Sequence, residues 1–194
     1  MADAVRSSDR HLSPLKFLAM IFVVIAVALG ATAAGVAAYG REALWADIFG
    51  PPDMGAYDFD IPTRTGKLND ALACPVSAEP CFAASVDRTI PLFAVDGPTL
   101  YAAVVKRIQV LPGATAVESD PDRLSLRAVV RTPFLRFPDT LSMRVREEAP
   151  GRSGLWLYSR SQIGHADLGV NERRLRHLIR DLRRSLPVAP QDRG

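Results

Sequence analysis

Apolar positions along this chain follow three rhythms. From Phe17 to Gly40, in FLAMIFVVIAVALGATAAGVAAYG, there is no alternation at all and no charged residue. As helix, that run rises about 36 Å, enough to cross a hydrocarbon core about 30 Å thick. A helical rhythm appears in AVDGPTLYAAVVKRIQVLPG, where Leu100, Val104, Ile108 and Leu111 recur on one face. Asp96 is placed to accept from the first free amides, Pro98 suits a first turn, and Pro112–Gly113 stop the element. A second helix is predicted over NERRLRHLIRDLRRSL. There Leu175, Leu178, Ile179, Leu182 and Leu186 share an arc of about 100°, with Asn171 as the expected N-cap.

Between these helices the period shortens to two. Leu124, Leu126, Ala128 and Val130 alternate with Ser125, Arg127, Val129 and Arg131, and Leu141, Met143 and Val145 alternate with Ser142, Arg144 and Arg146. A third strand, Gly154 to Arg160, follows the turn signal APGRSG, and ATAVES adds a candidate fourth. Strands grouped between helices, rather than alternating with them, predict an α+β fold: a two-layer sandwich of antiparallel sheet and helices over residues 67–186. Ahead of it, residues 41–66 mix Pro, Gly and acidic residues without periodicity and read as a tether or partly ordered lead-in. Residues 1–16 and 187–194 read as tails.

The run over residues 17–40 has two readings. Phe17–Leu29 followed by GATAAG has the form of a secretory signal with a small-residue cleavage site. The uncleaved transmembrane anchor is preferred, because the chain stays apolar through Val36–Tyr39 and Tyr39 and Trp45 suit an interface. Arg6, Arg10 and Lys16 precede the run, whereas Arg41 is the only basic residue in the next twenty. That bias keeps the N-terminus in the cytoplasm of a single-pass inner-membrane protein and places the C-terminal domain in the periplasm or outside. Cys74 and Cys81, in CPVSAEPC, fit an oxidising compartment as a short disulfide loop. The alternatives are a zinc site, for which two cysteines supply only half a shell, and two unpaired core residues.

Charge then narrows the function. The net charge is +3 and the sequence pI about 9.1, with the excess concentrated in the last third. No glycine loop of a phosphate-binding type and no nucleic-acid-reading motif occurs, so nucleotide enzymes and DNA or RNA partners are not expected. No cofactor or metal is implied. In the last helix Arg173, His177, Arg180 and Arg184 share the polar face, either solvated or lying on anionic headgroups.

The densest chemistry lies in SRSQIGHADLGVN, Ser159 to Asn171. Ser159, Ser161, His165 and Asp167 are the components of a hydrolase, but they are crowded into one segment without a nucleophile elbow. His165 and Asp167 lack a third metal ligand. Anion recognition is the better functional reading, with Arg160, Ser161, His165 and Asp167 converging on the amides after Asn171, and Arg127, Arg131, Arg144 and Arg146 extending the patch. The competing structural reading pairs Arg160 and Arg136 with Asp139 and Asp167 to lock a strand-to-helix corner.

CPVSAEPC, RTPFLRFPDTLSMRV and YSRSQIGHADLGVNERRLRHL together resemble the domain-of-unknown-function family 1499, over residues 67–186. The family's cysteine motif usually continues as Pro-Asn-Cys and serines, where this chain has EPCFAAS. The resemblance implies a small, membrane-linked, noncytoplasmic domain and no established catalytic activity. The resulting expectation is a non-enzymatic, membrane-anchored domain that binds a protein partner or an anionic small molecule. Its rivals are an enzyme using the 159–171 loop and a purely structural envelope protein.

Overall fold

The computed structural model describes residues 13–78, 81 and 83–190, so residues 1–12 and 191–194 of the two expected tails lie outside the described residues. The chain divides into two units, Met1–Leu44 and Trp45–Gly194. In the first, helix α1 runs from Pro14 to Tyr39 with Pro14 in its first turn. It ends at Gly40, whose φ of 94° turns the chain while its N–H still donates to the Val36 carbonyl at 2.9 Å. No side chain of α1 is buried, although the helix is almost wholly apolar; Phe22 is 74% exposed. A bare apolar surface of this length is unfavourable in water, and α1 is long and apolar enough to be a membrane anchor or a signal sequence. Helix α2, Arg41–Phe49, follows at once.

The second unit is built on a six-stranded sheet of order β2-β1-β6-β5-β4-β3. Its strands are β1 (Asp70–Pro75), β2 (Arg88–Ile90), β3 (Ala114–Asp120), β4 (Ser125–Arg131), β5 (Pro138–Ala149) and β6 (Arg152–Ser161). Strands β3 to β6 form the expected antiparallel meander. β6 then pairs antiparallel with β1, and β1 parallel with the short edge strand β2. The meander needs a close approach at its start: a Cβ on Gly113, where φ is +79°, would stand 2.5 Å from the Arg131 carbonyl oxygen.

One face of the sheet carries helix α3 (Gly97–Gln109) and helix α4 (Val170–Ser185). Asp96 caps α3 as expected, accepting from the Thr99 amide at 2.7 Å. The predicted inward residues Leu126, Ala128 and Val130 from β4 and Leu141, Met143 and Val145 from β5 form this core, and Leu155 and Leu157 from β6 join them. Leu100, Val104 and Ile108 of α3 and Leu175, Leu178, Ile179 and Leu182 of α4 close it. Each fully buried large side chain here contributes about 1.5–3 kcal/mol.

The other face departs from expectation, because it is covered too. Trp156 and Tyr158 on β6 and Leu72 and Cys74 on β1 build a second apolar cluster with Phe59, Ala78 and Cys81. Tyr57 stacks on Tyr158 with ring centroids 3.7 Å apart, and Phe59 is 4% exposed. Residues 41–66 are therefore an ordered lead-in rather than a free tether. Residues 41–49 are helical, and residues 53–65 are bonded to the sheet through Asp53, Met54, Arg64 and Thr65. Aromatics spaced among Pro and Gly have no period, yet they cover Trp156 and Tyr158, which a half-buried strand would leave in water. Cys74 and Cys81 are joined, with Cα atoms 6.3 Å apart, and their loop covers the same face.

A buried carboxylate fixes the edge of this outer layer. Asp70 accepts from Arg64 at 2.8 Å, from the Thr65 amide at 3.0 Å and from the Tyr158 hydroxyl at 2.8 Å. Burial opposes its charge, but these donors hold its pKa below the usual carboxylate value. Burial and the Asp70 carboxylate push the Tyr158 hydroxyl up, and burial takes Tyr57 to about 12.

Candidate functional site

The corner after β6 is a closed polar lock. Strand alternation sends Ser159 and Ser161 to the helix face and Arg160 to the opposite face, so the sequence-adjacent groups part company. Ser159 is fully buried; its hydroxyl donates to Asn171 Oδ1 at 2.5 Å and accepts from Arg174 at 2.8 Å. Asn171 Nδ2 donates to Ser161 Oγ at 2.9 Å and to the Asn69 carbonyl at 3.1 Å. Arg174 reaches Asp139 Oδ2 at 2.6 Å, with side chains only 9% and 2% exposed. Burial pushes the Asp139 pKa up, against the opposing pull of Arg174 and Ser161.

Several expectations change here. Asn171 is not the N-cap of α4; that position belongs to Gly169, in the left-handed region, and Asn171 lies in the first turn on the buried stripe. The capping acceptor is Asp167, which takes the Gly169 amide and the Asn171 amide, each at 2.8 Å. Asp139 pairs with Arg174 rather than with Arg160 or Arg136. Arg160 crosses to the outer face, where it donates to the Met54 carbonyl at 2.5 Å and lies over Tyr158. His165 is exposed, and its carbonyl accepts from the Leu68 amide. Arg160 thus lies on the opposite face of the sheet from Ser161, and Asp167 spends its carboxylate on the Gly169 and Asn171 amides at the start of α4.

The outer-face arginines are balanced by acids. Arg127 pairs with Asp53 at 3.0 Å and Glu118 at 2.6 Å, while Asp60 holds both Arg144, at 3.0 Å, and Arg146. The bond from Arg146 keeps the Asp60 carboxyl below its ordinary range. A cleft of about 200 Å³ opens here, lined by Tyr57, Phe59, Glu118, Asp120, Arg127 and Arg144 among others. Arg131 sits at the end of β4, half-buried, its amide donating to the Gly113 carbonyl.

A different region gathers unbalanced positive charge. Along the second half of α4, against β2, a groove of about 470 Å³ is lined by Arg88, Thr89, Arg176, Ile179, Arg180, Arg183 and Arg184. Arg88 and Arg176 share Glu172, at 2.6 and 3.9 Å, and Arg180 contacts Asp181 at 3.3 Å. Among the described residues, Arg183 and Arg184 pair with no carboxylate. Guanidinium groups so arranged can each give two parallel hydrogen bonds to carboxylate or phosphate oxygens, with the Thr89 hydroxyl in the same groove. Sequence reading found the basic face of α4 through Arg180 and Arg184. It missed Arg88 and Thr89, because β2 is too short to show a period. Among the described residues no group of three or more His, Cys, Asp or Glu side chains is arranged to hold a metal.

A search of the curated proteins finds no match to this chain. A family model does match, over residues 71–182, which span β1 to the end of the apolar stripe of α4 and more than half of the chain. The chain belongs to that family, the proteins of unknown function DUF1499.

Proposed function

We propose that this chain is a single-pass, membrane-anchored binding protein whose α+β domain lies outside the cytoplasm and takes a multiply charged anion in the groove between β2 and α4. The observation that carries the reading is five arginines around one groove against two carboxylates among the described residues. The apolar helix α1 supports the anchor, and the Cys74–Cys81 bridge supports an oxidising compartment such as the periplasm. The basic residues before α1 support an N-terminus in the cytoplasm. A non-catalytic role is supported by the corner, where Ser159, Ser161 and Asp167 spend their bonding capacity internally. Ligands carrying two or more phosphate or carboxylate groups suit the groove, because one anionic group leaves most of the guanidinium charge unmatched.

The test uses the purified full chain in non-ionic detergent, titrated with pyrophosphate and with citrate. Binding should be saturable, weaken with salt, and be lost in the variant Arg183→Gln/Arg184→Gln. A control, Lys106→Gln/Arg107→Gln on α3, removes equal charge elsewhere and should bind as wild type. Equal loss in both variants would reduce the groove to general electrostatics and defeat the proposal.

A further inference from the structure

An apolar rim at one end of the domain remains unexplained by the lock and the groove. The β4–β5 connection displays Phe134 at 84% and Leu135 at 53% exposure, and the corner before α4 displays Leu168 at 86%. They line one open groove of about 590 Å³ with Ile163 and Val170. Leu168 is held outward in the left-handed region, with φ of 54°, a conformation that costs a leucine free energy and pulls no apolar area out of water. Scattered exposed leucines need no account, but a continuous apolar patch on a folded domain does.

The chain itself indicates what covers it. Trp45 stacks against Phe137 with ring centroids 4.9 Å apart and donates from Nε1 to the Leu135 carbonyl at 2.6 Å. Gln162 donates from Nε2 to the Phe49 and Pro51 carbonyls, at 3.1 and 2.6 Å, joining the end of α2 to the segment beside Ile163. Trp45 and Phe49, from the second half of α2, thus contact the segments that carry the rim, and Trp45 stands five residues after Gly40, where α1 ends. Five residues reach at most about 18 Å, whatever path the chain takes. If α1 spans a bilayer, Trp45 stays within about that distance of the end of the span by chain length alone. Ile48 and Phe49 of α2 are also exposed, and Lys67, Arg131, Arg136 and His165 stand on the segments flanking the patch. Apolar tips with an indole and basic residues on the neighbouring segments are the composition of a surface seated at the headgroup level, and the carboxylates of the groove, Asp139 and Asp167, are taken up by Arg174 and by the Gly169 and Asn171 amides.

We infer that the rim of Phe134, Leu135 and Leu168 inserts into the lipid headgroup region next to the anchor, docking the domain on the bilayer in one orientation. This rests on the membrane-anchored reading above. The occupant is the lipid surface, not a second copy of the chain, because the rim is assembled on the one segment the anchor holds close to lipid.

The experiment uses the full chain in nanodiscs of phosphatidylcholine and phosphatidylglycerol. Both native cysteines are joined to each other, so a thiol introduced by Phe134→Cys or Leu168→Cys takes a bimane label alone. Asp122→Cys serves as control; it lies in the β3–β4 turn, at the other end of β4. All three positions are exposed, so the fold tolerates them. Lipids bearing a doxyl group near the headgroup should quench the labels at 134 and 168, whose emission shifts to the blue, and leave the label at 122 unquenched. Equal quenching at all three positions overturns the inference. So does energy transfer between labelled copies at 134 without lipid quenching, which makes a second chain the occupant. A chain that elutes apart from the discs overturns the anchor and the docking together, whereas co-elution without quenching at 134 and 168 overturns the docking alone.

Discussion

At the start of α4, Asn171 and Arg174 lie on the helix's buried stripe and spend their side-chain bonds on Ser159, Ser161, Asp139, the Asn69 carbonyl and each other. About ten residues on, Arg183 and Arg184 stand exposed beside Arg88 and Arg180, with few carboxylates to answer them. Polar residues crowd both ends of the helix, but only the second end leaves bonding capacity for a ligand. A dense cluster of Ser, His, Asp and Asn is therefore weaker evidence of a site than a sparse row of arginines that the fold leaves unmatched.

The sharpest way to break this contrast is at Arg174. Arg174→Met leaves Asp139 buried without its cation, and should destabilise the full chain by about 3–5 kcal/mol in chemical denaturation. The double variant Arg174→Met/Asp139→Leu should recover most of that loss, since an apolar pair of similar volume no longer buries a charge. Wild-type stability in Arg174→Met alone would make the lock dispensable.

The same variant has a pH signature. Burial already places the Asp139 pKa above its unfolded value, so its charged form is penalised in the fold. Its contribution is then most favourable at low pH and declines as pH rises from about 4 through the raised folded value. Without Arg174 the folded value climbs further, and the loss in Arg174→Met should extend to higher pH than in wild type. Denaturation midpoints measured between pH 4 and 8 check this; parallel profiles for the two proteins would contradict it.

Smaller effects separate the capping residue from its exposed neighbour. Asp167→Ala frees the Gly169 and Asn171 amides and should cost about 1–2 kcal/mol. His165→Ala removes an exposed ring and should shift stability by no more than about 0.5 kcal/mol. Thermal melts of the two variants beside wild type read the order directly, and the reverse order would turn the corner back into a candidate site.

Much of this was legible in the sequence. Alternation at Leu124–Arg131 and Leu141–Arg146 marked β4, β5 and their inward residues, because one face of each meets the helices. β1 escaped because Ala71, Leu72, Ala73 and Cys74 are buried on both faces, which erases the alternation. The cover over residues 53–65 escaped because loops that bind a sheet through aromatics and single polar bonds carry no period. In the corner, the chain order of Ser159, Arg160 and Ser161 concealed that the pleat sends the middle one to the other face. Asn171 and Arg174 did leave a trace: both fall on the stripe of Leu175, Leu178 and Leu182, where a polar residue must find a buried partner. Arg88 and Thr89 left none, since pairing with β1 alone brings β2 beside α4.

The most direct test of the contrast is one paired measurement on the full chain: thermal midpoints with and without pyrophosphate, for wild type, Arg174→Met and Arg183→Gln/Arg184→Gln. The account expects Arg174→Met to melt well below wild type while still being stabilised by pyrophosphate. It expects Arg183→Gln/Arg184→Gln to melt as wild type and to lose the pyrophosphate shift. A groove variant that keeps the full shift, or an Arg174→Met protein that loses only the shift and not the midpoint, would contradict it.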